Sequence, residues 1–440
     1  MNHYRLLSFS ATLAALLGLP AQAQSLVEMY ESASSFDASY QSAKLLFEAN
    51  LAKAEQAKAG LLPSANLGMG MNRTRISSDT SAFDRGSYGN QNATLSASQP
   101  LYRPANVATA EQGKKQVELA KAQLQAAEQD LIVRVSQAYF DVLASGDNLN
   151  FVKAQQTAVA EQLASAKRNF EVGTSTITDT REAQAKFDLV LAQEIAAEND
   201  LRIKKIALDQ LTGKTNASPN PLKVPVLIAA VAPDDVQAWV NQSETEHPSI
   251  RQASLGLDVA QLETQKAQAG HKPTLDLTGS YSIAQNNGSS STTQDYRTNV
   301  ASLGLAFNLP LFAGYATQNR IRETMALEDK ARTDLEGAKR AVAQATRTAF
   351  FGVQSGLGQV KALEAAETSS QSALDATKLG YQVGVRINID VLNSQSALFD
   401  TKAKLAKARY DVLLGGLKLR QANGTLRVED IQGLNNSLAK

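Results

Sequence analysis

The chain of 440 residues contains no cysteine. That excludes disulfides, thiolate chemistry, cysteine-ligated zinc or iron–sulfur centres and a cysteine-linked lipid anchor. Aromatics make up only 6%, with a single tryptophan, fewer bulky side chains than a large globular core carries. Neither charge is in surplus, since 44 Lys+Arg against 43 Asp+Glu leave +1. Nucleic acid is therefore not an expected partner, because neutralising phosphates takes a basic excess. No Gly-rich phosphate loop precedes a Lys-Ser/Thr pair, and no serine sits in a nucleophile elbow. His3 lies at the extreme N-terminus, while His247 and His271 lie beside turn signals (His247-Pro248 and Gly270-His271-Lys272-Pro273). No catalytic, cofactor-binding or metal residue is expected, and the chain reads as a non-enzyme. What is abundant is alanine, 69 residues. With many Lys, Glu, Gln and Leu, it points to long helices packed closely together.

The first residues read as an address. Residues 1–5 are short and basic, residues 6–19 form an apolar run of 14, and Ala21-Gln22-Ala23 is a small-x-small site. A secretory signal peptide over 1–23 is expected, cut after Ala23. Its run is short of the ~20 residues that span a bilayer, and no later stretch is long enough to do so.

The chain then repeats itself. Ala59-Gly60-Leu61-Leu62-Pro63 returns as Ala269-Gly270-His271-Lys272-Pro273, and Pro100-Leu101-Tyr102 as Pro310-Leu311-Phe312, both at an offset of 210. Ala138-Tyr139-Phe140 returns as Ala349-Phe350-Phe351, and Phe170-Glu171-Val172-Gly173 as Tyr381-Gln382-Val383-Gly384, at an offset of 211. The expected layout is a first repeat over 24–218, a Pro-rich linker over 219–233, a second repeat over 234–425 and a C-terminal tail over 426–440.

Each repeat reads as helix, strand, strand, long helix, helix. In the first, a helix is expected over 26–59. A strand over 64–75 aligns Ala65, Leu67, Met69 and Met71; after a loop at 76–90, a strand over 92–101 aligns Ala93, Leu95, Ala97 and Gln99. In the second, a strand over 274–283 aligns Leu275, Leu277 and Gly279, with Asp276 on the other face. A loop at 285–297 leads to 300–309, which aligns Leu303, Leu305, Phe307 and Leu309. Strands of ~9–11 residues with this alternation suit a tilted transmembrane β-strand, although a soluble hairpin carries the same weak signal. The long helix of copy one is expected over 104–170, about 100 Å at ~1.5 Å per residue. Its apolar spacing, and that of copy two, describes coiled-coil seams with small residues at many knob positions. Four strands cannot close a membrane barrel, and open edges are not tolerated in lipid. The strands must therefore come from two, three or four copies, giving 8, 12 or 16.

Two helix–helix turns, 171–179 and 382–390, remain. Gly173 and Gly384 end long helices, where a left-handed residue is expected. Thr178 or Asp179 is expected to start the next helix, with Asp as N-cap. Capping does not account for Arg386, or for Tyr381 where copy one has Phe170.

Residues 137–143 (QAYFDVL), 169–179 (NFEVGTSTITD), 270–279 (GHKPTLDLTG), 379–392 (LGYQVGVRINIDVL) and 422–438 (ANGTLRVEDIQGLNNSL) resemble the TolC family of outer-membrane efflux proteins, in order along the whole mature chain. The resemblance implies a mixed α/β-barrel membrane protein. It would be a homotrimer whose protomers each give four strands to one 12-stranded barrel in outer-membrane lipid, above a periplasmic α-helical barrel. It implies an exit duct for drug efflux and type I secretion, working with a periplasmic adaptor (membrane fusion protein) and an inner-membrane RND or ABC transporter. By the same resemblance, Tyr381 and Arg386 latch the periplasmic end shut against Thr178 and Asp179. Asp390 lines the constriction, where the family's second Asp is replaced by Asn393. Val172, Gly173, Val383 and Gly384 meet the adaptor. The competing readings are a periplasmic adaptor or a structural coiled coil without a pore. An adaptor would show a lipoyl-like β-domain beside one hairpin, whereas this chain duplicates hairpin and strand pair.

Overall fold

The structure, a computed structural model, describes residues 24–76, 86–223, 226, 230–289 and 292–439. The expected signal peptide, and parts of the linker and of both strand–strand loops, lie outside the described residues. The elements are α1 (Leu26–Phe36), α2 (Ala38–Lys58), β1 (Ser64–Ile76), β2 (Gly86–Tyr102), α3 (Pro104–Glu171), α4 (Ile177–Thr212), α5 (Val236–Glu246), α6 (Pro248–Gln268), β3 (Thr274–Asn287), β4 (Asp295–Asn308), α7 (Ala316–Gln382), α8 (Asn388–Ala422) and α9 (Val428–Asn435). Strand, strand, long helix, shorter helix occurs twice. The long helices α3 and α7 run for 68 and 67 residues. Pro104 opens α3, where its missing N–H leaves no helical bond unmade.

The helices expected over 26–59 and before β3 are both broken. Asp37 turns extended (ψ 118°), ends α1 by donating its N–H to the Ala33 carbonyl, and accepts the Tyr40 N–H at 2.8 Å. Arg134 pairs with its carboxylate at 2.9 and 3.0 Å and, with the Tyr40 amide, holds it below the usual carboxylate range. In copy two the break falls at His247, extended because Pro248 follows it. Periodicity passes over such breaks, since the apolar spacing resumes after them.

The chain divides into two units. One comprises residues up to 43, 124–248 and 339–440. Its largest core gathers Leu26 and Met29 of α1, Leu131, Ile132 and Val135 of α3, Leu208 of α4, Leu417 of α8 and Ile431 of α9. Tyr139 is wholly buried there, its hydroxyl within hydrogen-bond reach of the carbonyls of Gln24 (3.1 Å) and Asn220 (3.0 Å). The C-terminal tail is tied in by α9 and by a bridge between Leu222 and Leu438. The other unit comprises 44–123 and 249–338. Its helical parts bury mostly alanine, at 54, 108, 110, 120, 122 and 267, as close helix approach requires.

That second unit carries one antiparallel sheet in the order β1-β2-β3-β4. The strands run past the expected 92–101, 274–283 and 300–309 into segments that read as loop. Asn, Ser and Gly there have low strand propensity, yet the ladder continues to Ile76↔Gly86 and Asn287↔Asp295. The Asn90 and Asn286 side chains bond across it.

Candidate functional site

Register sorts the sheet into two faces, because side chains alternate along each strand. The rows Leu67↔Leu95↔Tyr281↔Ala301 and Met69↔Ala93↔Ile283↔Asn299 lie on one face. Leu277, Leu303, Leu305 and Phe307 extend it. The other face carries Asn66, Asn72, Thr94, Ser96, Ser280, Ser282 and Ser302, with hydroxyls paired between Thr94 and Ser282 (2.9 Å) and between Ser280 and Ser302 (2.7 Å). In a soluble sheet the apolar face is covered. Here Leu303 is 80% exposed, Met69 76% and Met71 75%. The band runs on into Leu311, Phe312 and Tyr315, also exposed, with the two rings in edge contact at 5.6 Å. At this end Arg103 holds Asp276 through two bonds, 2.8 and 2.6 Å. Among the described residues, no helix is long and apolar enough to cross a membrane.

The first unit holds the two turns. In each, a glycine with φ near +80° follows the helix, Gly173 after α3 and Gly384 after α7. The next two amides reach back to one carbonyl, that of Asn169 or of Gly380. Val172 and Val383 stand exposed at the tips. The helix starts differ from expectation. Thr176 is the N-cap of α4, and Asp179 is the third residue of the helix rather than the cap. The Thr176 hydroxyl accepts the Asp179 N–H at 3.2 Å, and the Asp179 carboxylate takes the Thr176 N–H at 3.0 Å, a reciprocal box. Ser175 Oγ adds a bond at 2.7 Å and Thr176 Oγ1 one at 2.8 Å. The Ser175 bond first, then the Thr176 donors, hold this carboxyl below the usual range.

The second turn starts α8 after Ile387, which has no side chain to cap with. Asp390, again third in the helix, takes the Ile387 N–H at 3.5 Å, and Arg386 lies 3.7 Å from it. The aliphatic stem of Arg386 lies against Gly380, where a Cβ would meet its Cγ at 2.8 Å.

The turns touch through residues that sequence reasoning missed. The Tyr381 hydroxyl accepts from Asn169 Nδ2 at 3.4 Å. Buried Asn388 donates to the Asp179 carbonyl at 3.4 Å and accepts from Gln162 at 2.5 Å. Within the chain, then, Tyr381 meets Asn169, and Arg386 meets Asp390. Thr178 and Asn393 are exposed and make no side-chain bond among the described residues. The available signal was Asn388 itself, an amide where the matching position of copy one is Ile177.

A strand pair and a long helical hairpin, repeated once and presenting an uncovered apolar sheet face, form the fold of the outer-membrane channels. The solved structure of the outer membrane protein VceC from Vibrio cholerae superposes with a TM-score of 0.78 at 18% identity, covering 91% of this chain and 96% of that one. A profile of the outer membrane efflux protein family matches residues 29–214 and 239–425, and the chain belongs to that family. It is 34% identical to outer membrane protein TolC of Vibrio cholerae serotype O1 over 94% of both chains. It is 30% identical to the alkaline protease secretion protein AprF of Pseudomonas aeruginosa, over 95% of this chain and 88% of that one.

Proposed function

We propose that the chain is the outer-membrane exit duct of efflux and type I secretion systems, passing small molecules or proteins outward. The carrying observation is the four-stranded sheet, apolar and uncovered on one face and polar on the other, the alternation of a strand with lipid outside and water inside. TolC and AprF relatives supply the efflux and secretion arms of the reading. Strands β1 and β4 are the two edges of the sheet. Joined edge to edge, three copies make a 12-stranded barrel with no open edge in lipid. The helices then extend into the periplasm, and the exposed tips at Val172, Gly173, Val383 and Gly384 receive an adaptor that couples the duct to an inner-membrane RND or ABC pump.

The turn residues form the gate. Tyr381 and Arg386 hold the mouth shut against Thr178 and Asp179 of a neighbouring turn. Each such bond contributes about 1 kcal/mol at an exposed mouth, so an adaptor can release them. Support comes from the weak hold on Arg386, whose one carboxylate partner stands at 3.7 Å. Asp390 lines the constriction. Asn393 one turn on leaves one carboxylate per protomer, which weakens cation selectivity.

The test is planar-bilayer recording on trimers extracted from outer membranes. Tyr381→Phe with Arg386→Ser raises conductance several-fold under the latch. Unchanged conductance removes the latch, and monomeric soluble behaviour of the wild type removes the duct.

A further inference from the structure

The charges on the lipid-facing side of the sheet are not scattered. Among the described residues, this face carries Arg73 and Arg75 of β1, Arg297 of β4 and Asp295, in the register rows Arg73↔Gly89, Arg75↔Ser87, Gln285↔Arg297 and Asn287↔Asp295. All four lie at the strand ends remote from the helices, just past Met71 and Ile283, where the apolar band stops. The rest of the face, from Met71 down to Phe307, is uncharged. The three arginines are exposed and form no ion pair among the described residues. Arg73 is aimed by its neighbour strand, its Nε and Nη2 lying 3.4 and 3.2 Å from Ser87 Oγ.

Among the described residues, three guanidinium groups stand against one carboxylate at the rim of a surface made to sit in acyl chains, a costly arrangement facing hydrocarbon. It is favourable facing anions at the headgroup level, where a guanidinium fork binds phosphate in bidentate fashion. The opposite rim is built otherwise, from the exposed rings of Tyr102, Phe312 and Tyr315, while Arg103 beside them turns to Asp276 on the other face of the sheet. The two membrane interfaces therefore differ in chemistry, as the two leaflets of an asymmetric bilayer do.

From this we infer that Arg73, Arg75 and Arg297 bind the phosphate groups of the phosphorylated saccharolipid in the outer leaflet, while its acyl chains lie on Met69, Met71 and Leu303. The strands β1 and β4 are opposite edges of the sheet. Edge-to-edge joining of copies thus brings Arg297 of one protomer to the seam that holds Arg73 and Arg75 of the next, and the lipid phosphate ties that seam. The inference rests on the duct reading above.

The test uses the full chain purified as a trimer in detergent. Binding and thermal protection are measured with bisphosphorylated lipid A, with its enzymatically dephosphorylated form, and with inorganic phosphate alone. Wild type is protected by the phosphorylated lipid only. Arg73→Gln/Arg75→Gln/Arg297→Gln binds it about tenfold or more weakly, the loss of several charge-assisted contacts, while remaining a heat-modifiable trimer of normal conductance. The triple Arg→Lys variant, which keeps the charge and loses the fork, binds more weakly than wild type and more tightly than the Gln variant. Equal protection by the dephosphorylated lipid or by free phosphate, or undiminished binding by the Gln variant, overturns the inference while leaving the duct intact. A wild type that forms no membrane-inserted trimer overturns both.

Discussion

The two helical turns have the same backbone and different chemistry. Position by position, Ser175 corresponds to Arg386, Thr176 to Ile387, Asp179 to Asp390 and Asn169 to Gly380. In the first turn, hydroxyls close on Asp179 at 2.7 and 2.8 Å, and the helix start is sealed. In the second, a β-branched apolar residue takes the capping place, and Asp390 holds one amide at 3.5 Å and one guanidinium at 3.7 Å. Duplication supplied two equal tips. The replacement of two hydroxyls by Ile387 and Arg386 made one of them loose. Under the proposed latch, a charged group that is not consumed by its own helix is available to a neighbouring turn, and the sealed first turn would give it a fixed partner.

The comparison can be broken at its strongest point first. Thr176→Ala or Asp179→Ala removes a working cap, worth about 1–2 kcal/mol. Amides in the first turn of α4 should then exchange roughly 5- to 30-fold faster, whereas Ile387→Ala or Asp390→Ala should change α8 by less than about 2-fold. Equal effects at both ends would dissolve the difference. Next, Ile387→Thr gives the second turn the missing hydroxyl and should gain about 0.5–1 kcal/mol, read as slower exchange at the start of α8.

A pH series probes the same contrast. Because the Asp179 carboxyl sits below its ordinary range, chiefly through Ser175, its contribution is fully present above the unfolded value of about 4 and is lost as pH falls through the lower folded value. Protection of the α4 start should therefore hold down to about pH 4 and decline below it, with Asp179→Asn abolishing that decline. The smallest effect belongs to Arg386→Gln. An exposed pair at 3.7 Å contributes under about 0.5 kcal/mol, so a thermal-melting loss above ~1 kcal/mol would show that Arg386 holds its own turn after all.

Much was legible beforehand because the deciding signals are local. Alternation at Leu67, Met69 and Met71 and at Leu303, Leu305 and Phe307 marks strands; helical spacing and Pro104 mark α3; Gly173 and Gly384 mark the turns. Errors came where a single residue overrides a pattern. Asp37 and His247 break helices whose apolar period carries on, and Thr176 caps two residues ahead of the expected start because its partner is the third residue of the helix. Strand ends rich in Asn and Ser looked like loop, since cross-strand pairing is absent from any one segment.

The sequence by itself determined the duplication, the element types and which residues share a face of each strand, because periods of 2 and 3.6 are written into the order of side chains. Only the tertiary structure decided that the apolar face of the sheet stays uncovered, that Tyr381 meets Asn169 and Asn388 meets the Asp179 carbonyl, and that three arginines collect at one rim. Those facts depend on register and on contacts between segments more than two hundred residues apart, and no local pattern encodes which distant residue will fill the space beside a side chain.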